Sequence, residues 1–478
     1  MKHWLFLILS ILALNSGWAQ DKKNDEAFLV RPYLQLGAAP TPSALDLLWQ
    51  DADKPADWQV ETRANDKSAW KRNGAPVSIP VAVTGITPRS LYKATMSGLV
   101  PGGTFEYRVL KNNKIVFTSR AKALKSAEQP YRCVVFGDIG AGTTEAKQLA
   151  GRAFLSNPDM VVVPGDIVYD HGLISEYDTR FWPVYNAAKA DSAGAPIMCS
   201  VPFVAAPGNH DTDTRDLDRF PDGLAYFLFW DQPLNGPPAP EGGPLTPVLK
   251  ATPASRNSFV KAAGDAYPRM ANFSFNYGNA HWLFLDANPY VDFTSREIKD
   301  WITKDLADAK DATWRFVVFH HPGFNSSIEH YEQQQARLLS PLFETGNVDI
   351  VFNGHVHNYQ RSFPMRFTPD NNGTLLVGGK DGNAIRGRVV NGHWKLDKSF
   401  NGKTDTTPEG VIYVVTGAGG QELYNPEQQN DPDSWQRFTD KFVSTIHSLT
   451  MLDVNGKTCT LTQVATDGST LDTITITK

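Results

Sequence analysis

Five stretches of this 478-residue sequence share one design, an apolar run that stops and then offers a ligand-type side chain. They are CVVFGDIG with Asp138, VVVPGDIVYD with Asp166 and Tyr169, VPFVAAPGNHD with Asn209 and His210, RFVVFHHP with His320, and DIVFNGHVH with His355 and His357. A carboxylate at the mouth of a dry sheet is costly unless something there attracts negative charge. One Gly-Asp after a strand reads as a turn or a helix cap, and one His-X-His reads as a chance surface pair. Five such ends in one chain, restricted to Asp, Asn, His and Tyr, point instead to metal. Carboxylate, amide, imidazole and phenolate without thiolate favour hard to borderline ions, and there are too many donors for one tetrahedral zinc. Two ions are expected. A tyrosine that coordinates as phenolate calls for a strongly acidic ion, so Fe(III) is the economical reading of one site. With a divalent ion beside it, two carboxylates, one phenolate and one hydroxide leave about +1 to attract phosphate.

These side chains need a scaffold that brings strand ends together. From residue 130 onward apolar strands alternate with helical stretches: RCVVF, TTEAKQLAGRAFLSN, MVVV, SREIKDWITKDLADAKD, RFVVF, HYEQQQARLLSPLFE and VDIVF. Strand, helix and strand in succession imply crossover units in an α/β sheet. In such sheets ligands lie beyond the carboxyl ends of the strands, so the five motifs converge in one crevice. Residues 27–122 are different. TFEYRVLKNNKIVFTSR alternates about Asn112-Asn113 as a hairpin, and strand-like segments recur at short intervals, which predicts an all-β sandwich. AKALKSAEQP reads as the linker, Pro221 to Ala254 as a long Pro- and Gly-rich surface insertion, and the tail after Ile446 as antiparallel strands turning at Asn455-Gly456 and Asp467-Gly468.

Lys2 and His3 ahead of the apolar run Trp4 to Leu14, with Gly17 and Ala19 at the spacing a signal peptidase accepts, read as a secretory signal over residues 1–19. The run is short of the roughly 20 residues of a membrane span. Export to a periplasm or the exterior is expected, with no membrane span after cleavage. Three cysteines, Cys133, Cys199 and Cys459, make no disulfide framework and no zinc-type pair, and read as small buried hydrophobes. A net charge of -5, in no block, gives no reason to expect nucleic acid as a partner.

The ordered blocks GDIG, GDIVY, GNH, VVFH and GHVH resemble those of the purple acid phosphatases, calcineurin-like metallophosphoesterases with the pattern GDxG, GDxxY, GNH(E/D), VxxH and GHxH. GLVPGGTFEYRV likewise resembles a fibronectin type III strand, and plant-type members carry such a domain ahead of the catalytic one. The resemblance implies a fibronectin type III-like sandwich at 27–122 and a catalytic β-sandwich flanked by helices at 130–478, with EGVIYVVTGAGG as a late strand. It implies that Asp138, Asp166, Tyr169 and His357 hold Fe(III), and that Asp166 bridges to a zinc, manganese or iron(II) ion held with Asn209, His320 and His355. Water activated by the pair would attack phosphorus directly, without a phosphoenzyme. His210 would hydrogen-bond phosphate and His330 would protonate the leaving oxygen. His321 reads as support for the site, and His281, His393 and His447 as packing or solvent-facing residues.

The expected activity is hydrolysis of phosphomonoesters, on small molecules or polymers. The rival readings are a phosphodiesterase or nucleotide hydrolase with the same centre and, more distantly, a carbohydrate-binding or adhesion protein whose metal centre is vestigial. A complete ligand set argues against the last.

Overall fold

The computed structural model describes residues 27–370 and 389–478, with backbone alone at 375–376, 380–381, 384–385 and 388. The secretory signal expected over residues 1–19 lies outside the described residues. From Val30 to Lys122 the chain forms two four-stranded antiparallel sheets. The hairpin expected at Asn112-Asn113 is present, pairing Thr104–Lys111 with Lys114–Lys122, and both asparagines take positive φ.

The remainder is built on two larger sheets. In the six-stranded one, Phe203–Ala206, Met160–Pro164 and Tyr131–Val135 run parallel, and the tail strands Ser448–Asn455, Thr458–Ala465 and Thr470–Thr477 extend it antiparallel. In the seven-stranded one, Ala280–Phe284, Trp314–Val318, Ile350–Asn353 and Ile412–Thr416 run parallel, flanked by antiparallel neighbours.

Strand periodicity explains how the sheets stack, because alternate residues face opposite ways. Cys133, Val135, Met160, Val162, Val204 and Ala206 share one buried cluster with Trp282, Phe284, Phe316, Val318, Phe352 and Val414 from the other sheet. Their neighbours turn outward. Val134, Val161 and Val163 meet the helix Thr144–Leu155, which buries Leu149, Ala150 and Ala153 against them, and Thr143 caps that helix by accepting from the Ala146 N–H. On the far side Leu283, Val317 and Val351 meet the helix Arg296–Asp308 through Ile298, Ile302 and Leu306, spaced four residues apart. The result is helix, sheet, sheet, helix, with both sheets covered on both faces, which is why the parallel strands read as unbroken apolar runs. The sequence expectation of crossover units in a β-sandwich flanked by helices is met.

Two expectations are corrected. Pro221 to Ala254 is mostly irregular as expected, but it is not simply a surface insertion: Leu224, Ala225, Tyr226 and Phe229 are fully buried, and Tyr226 donates to the carbonyls of Ala205 and Met270. Its aromatic content drives it into the core despite the flanking prolines. HYEQQQARLLSPLFE is not one helix either. It forms a 3-10 turn, Gln335–Leu339, and a short α-helix, Ser340–Thr345, with Pro341 at the helix start, and its glutamines are spent on tertiary bonds such as Gln335 Nε2 to the Ala287 carbonyl. Among the described residues no helix is long and apolar enough to cross a membrane, and all three cysteines are buried and free.

Candidate metal centre

The five motifs leave parallel strands of both sheets at their carboxyl ends and meet over the seam between the sheets. The turns brace one another: Asp138 N–H donates to the Gly165 carbonyl, Ile139 N–H to Asp166, and Gly354 N–H to His320, each at 3.1 Å. Asp138, Asp166 and His355 take φ of 61°, 50° and 69°, a left-handed backbone that disfavours L side chains and persists where surroundings impose it. In the seven-stranded sheet the strand Ile412–Thr416 offers no ligand, yet a side chain at Gly417 would place Cβ 2.8 Å from Asp138 Oδ2 and 2.4 Å from the Val356 carbonyl, so glycine is needed there for close approach.

The site residues fall into two groups that touch. In one, the Tyr169 hydroxyl is 3.2 Å from Asp138 Oδ1 and 3.4 Å from His357 Nε2, and that nitrogen is 3.4 Å from Asp138 Oδ1. In the other, His320 Nε2 is 3.2 Å from Asp166 Oδ2 and 3.1 Å from Asn209 Oδ1. Ligand atoms of Asp166, His320 and His355 lie within 4.8 Å of one another. The His355 backbone N–H donates to both oxygens of Asp138, at 3.1 and 3.0 Å, tying the groups together.

Imidazole orientation follows one rule. His320 Nδ1 is 2.8 Å from the Pro164 carbonyl, His357 Nδ1 is 2.8 Å from the Glu422 carbonyl, and His210 Nδ1 is 2.8 Å from the Asp170 carbonyl. A carbonyl can only accept, so each Nδ1 carries a proton and each Nε2 faces the cage, where it is the nitrogen free to meet a cation once its own proton is lost. His355 is turned the other way, with Nε2 2.6 Å from Gln333 Oε1, which makes Nδ1 its lone-pair nitrogen.

Cations fit this cage. Asp138 and Asp166 are buried, and among the described residues they form ion pairs with histidine alone. Burial and the charges of Asp138 and Asp166 push the Tyr169 phenol well above its usual pKa, so a phenolate there requires compensating positive charge. Burial opposes protonation of His320, but the Asp166 carboxylate outweighs it and raises the imidazole to about 9. His330 goes the other way: burial, then the histidines 357 and 320, lower it to about 4. A pKa raised in the fold stabilises below the unfolded value and loses that stabilisation as pH climbs through the folded value; a depressed histidine loses its contribution as pH falls. The melting temperature of the metal-free chain is therefore expected to fall from pH 6.5 toward pH 9 as His320 deprotonates, which thermal scans of chelator-treated protein would check.

The other histidines of interest occupy distinct places. His330, also at positive φ (59°), puts its ring 4.0 Å from that of His355. His210 stacks against Tyr169 at 4.5 Å, with Nε2 3.9 Å from Asp166 Oδ2 and its side chain 32% exposed, so it stands at the mouth. His321 is buried, its ring 4.0 Å from His355 and its Nδ1 without a partner. His281 bonds Asn276 and Asp305, His393 is exposed beside Asp370, and His447 bonds the Gln421 carbonyl, all away from the cage. Arg361 pairs with Asp472 and Asp440.

Several participants escaped the sequence reading. Gln333 holds His355, and the Tyr424 ring stacks on His357 at 4.1 Å and 15°. Asp211, by contrast, is offered by its place after His210 as an orienter of that ring or a cap for the turn, and it takes the capping part: it accepts from the N–H groups of Ile167 and Gly208, and burial, then the Asp166 charge, raises it to about 7. Asn288 reaches the Gly208 carbonyl and Thr212, fixing the turn that carries Asn209. LFLDAN is a further strand end of the same design, and its Asp286 was the one available signal.

Comparison with known proteins places this arrangement. Residues 131–359, which span all five strand ends, match the calcineurin-like phosphoesterase family. They are a calcineurin-like phosphoesterase domain. The chain is 24% identical over 367 residues to purple acid phosphatase 15 of Arabidopsis thaliana, covering 72% of this chain and 56% of that relative. It is 24% identical over 328 residues to a nucleotide pyrophosphatase/phosphodiesterase of Hordeum vulgare, covering 64% of this chain and 73% of the relative. In structure it is similar to purple acid phosphatase PPD1 of yellow lupin, with TM-score 0.62 and 17% identity over 93% of this chain and 74% of the other. The chain thus spans little more than half of some relatives and most of others. The matched domain and the purple acid phosphatase relatives are of the metallophosphoesterase type, a family that implies a dinuclear metal centre.

Proposed function

We propose that the chain is an exported, binuclear metal-dependent phosphatase that hydrolyses phosphomonoesters, with an acidic to near-neutral optimum. The observation that carries this reading is a pair of buried carboxylates without lysine or arginine partners among the described residues, each beside further ligand-type side chains: Asp138 beside Tyr169 and His357, and Asp166 beside His320, which also meets Asn209. Asp138, Tyr169 and His357 would hold Fe(III) and Asn209, His320 and His355 a zinc, manganese or iron(II) ion, with Asp166 shared. When bound, the ions would polarise phosphoryl oxygens and make water nucleophilic near neutral or acidic pH.

The residues around the cage do the rest. Burial disfavours a charged His210, but Asp166 and the Asp170 carbonyl raise its pKa, so below neutrality it offers a cation to an incoming phosphate at the mouth. Burial keeps His330 neutral at neutral pH, and the negative charge of a bound ester acts to raise it toward a proton donor for the leaving oxygen. Replacing His330 with alanine should then lower kcat about a hundredfold for alkyl phosphates and only slightly for para-nitrophenyl phosphate, whose leaving group needs no proton. Equal losses on both substrates would remove His330 from that role.

The barley relative's name favours a second reading, hydrolysis of diesters or nucleotides by the same centre. Turnover of para-nitrophenyl phosphate against its bis-ester by metal-loaded protein separates the two. A preference for the monoester supports the phosphatase, a preference for the bis-ester the second reading, and turnover of neither overturns both.

A further inference from the structure

The segment that follows Tyr169 is held from two sides at once. Glu176 accepts the backbone N–H groups of Asp170, His171 (3.1 Å) and Leu173 (2.9 Å), and Arg180 Nη1 donates to the Tyr169 carbonyl at 2.6 Å. Glu176 caps, and Arg180 lies within, a π-helical turn, Tyr177–Phe181, a rare wide turn that is frequent at functional sites. Asp178, within that turn, faces the N-terminal sandwich. It accepts from both terminal nitrogens of Arg89, at 2.9 and 2.7 Å, and Arg89 is 6% exposed in the strand Arg89–Ser97, where it also donates to Gln50 Oε1 at 3.1 Å. Two further contacts seat the same segment on the sandwich. The Tyr33 ring packs on Trp182 at 4.9 Å, and Asn186 Nδ2 donates to the Arg31 carbonyl at 2.8 Å.

We propose that the N-terminal sandwich is a positioning element of the metal centre, acting through Arg89, Asp178 and the π-helical turn on the Tyr169 loop. Residues 170–173 have no regular structure, so their order comes from Glu176 and Arg180 rather than from a ladder of their own. Both of those side chains ride on the turn, and the turn's charged anchor is a bidentate, half-buried arginine–carboxylate pair, the geometry that best fixes orientation. Arg89 is thus a positioning residue. Its effect on turnover rests on the phosphatase reading, while its effect on the loop does not.

The test reads both. In metal-free protein, Arg89→Ala and Asp178→Asn should each speed amide exchange of residues 170–173 about tenfold while the sheet amides stay protected. In metal-loaded protein each should lower kcat/KM about three- to thirty-fold, mainly in kcat. The reciprocal double variant, Arg89→Asp with Asp178→Arg, should return both readouts toward wild type. Glu61→Gln, which breaks the Arg108–Glu61 pair elsewhere in the sandwich, should change neither. Unchanged exchange at 170–173, or a rise spread evenly over the chain, overturns the proposal. If Arg89→Ala fails to fold, Asp178→Asn, which preserves volume, decides alone. If the wild-type loaded protein turns over no phosphate ester, the phosphatase reading fails and the exchange result still settles the positioning.

Discussion

Asp166→Asn is expected to reduce kcat/KM on the order of a thousandfold or more and to lower the bound metal by at least one ion per chain. Asp166 is the side chain that the proposed centre shares between its two ions: its Oδ2 is 3.2 Å from His320, its Oδ1 accepts from the His210 N–H at 3.0 Å, and its backbone carbonyl accepts from Ile139 in the Asp138 turn. Asparagine preserves the shape and tolerates the left-handed backbone seen at φ 50°, so the turn should survive and the lost quantity is charge. In the metal-free state the same change removes the carboxylate that raises His320, and with it the loss of stability predicted between pH 6.5 and 9. Elemental analysis, steady-state kinetics and thermal scans on one preparation check all three. A variant that retains two ions and wild-type turnover would show that the charge is not used.

The second large effect comes from a single methyl group. In Gly208→Ala the added Cβ would lie 2.1 Å from Asp166 Oδ1 and 2.2 Å from the Asp166 backbone nitrogen, distances at which something must move. The backbone at Gly208 is ordinary, φ −93° and ψ −178°, so the cost is crowding and not conformation. Displacing Asp166 by a fraction of an ångström to an ångström should cost about a hundredfold in kcat/KM, and overpacking should destabilise by about 1–3 kcal/mol. Gly151→Ala, in the helix Thr144–Leu155 with open space around it, is the contrast: activity unchanged and stability equal or slightly raised. Equal behaviour of the two variants would contradict the geometry argued for Gly208.

The strand ends were legible because their signal is local. A buried parallel strand is a continuous apolar run, its carboxyl end is where a ligand side chain can reach a crevice, and both facts lie within about ten residues of sequence. The stacking of two sheets was not legible in the residues themselves, which read as one α/β sheet; it came with the family resemblance, and its physical reason is that alternate residues such as Val134 and Val135 face different partners. What escaped was carried by contacts distant in sequence. Gln333 and Tyr424 come from irregular loops with no period to betray them, and each matters only because the fold brings it against His355 or His357. Glu176 and Arg180 lie in no motif, and only the π-helical turn directs them back onto the Tyr169 loop. The Pro- and Gly-rich stretch misled because proline content was read ahead of the aromatic run from Tyr226 to Trp230, and burying that run outweighs the irregular backbone around it. The broken helix at Gln335 to Thr345 shows the same override: tertiary bonds to buried glutamines replaced the regular turns that propensity favoured.

The most direct measurement is the metal content of the purified, oxidised chain, taken with its visible spectrum. The account predicts two ions per chain at saturation, one of them iron, and a broad phenolate-to-iron band that disappears in Tyr169→Phe while metal at the second position is retained. A chain that saturates at one ion or none, with Asp138, Asp166 and the three inward imidazoles intact, would contradict it.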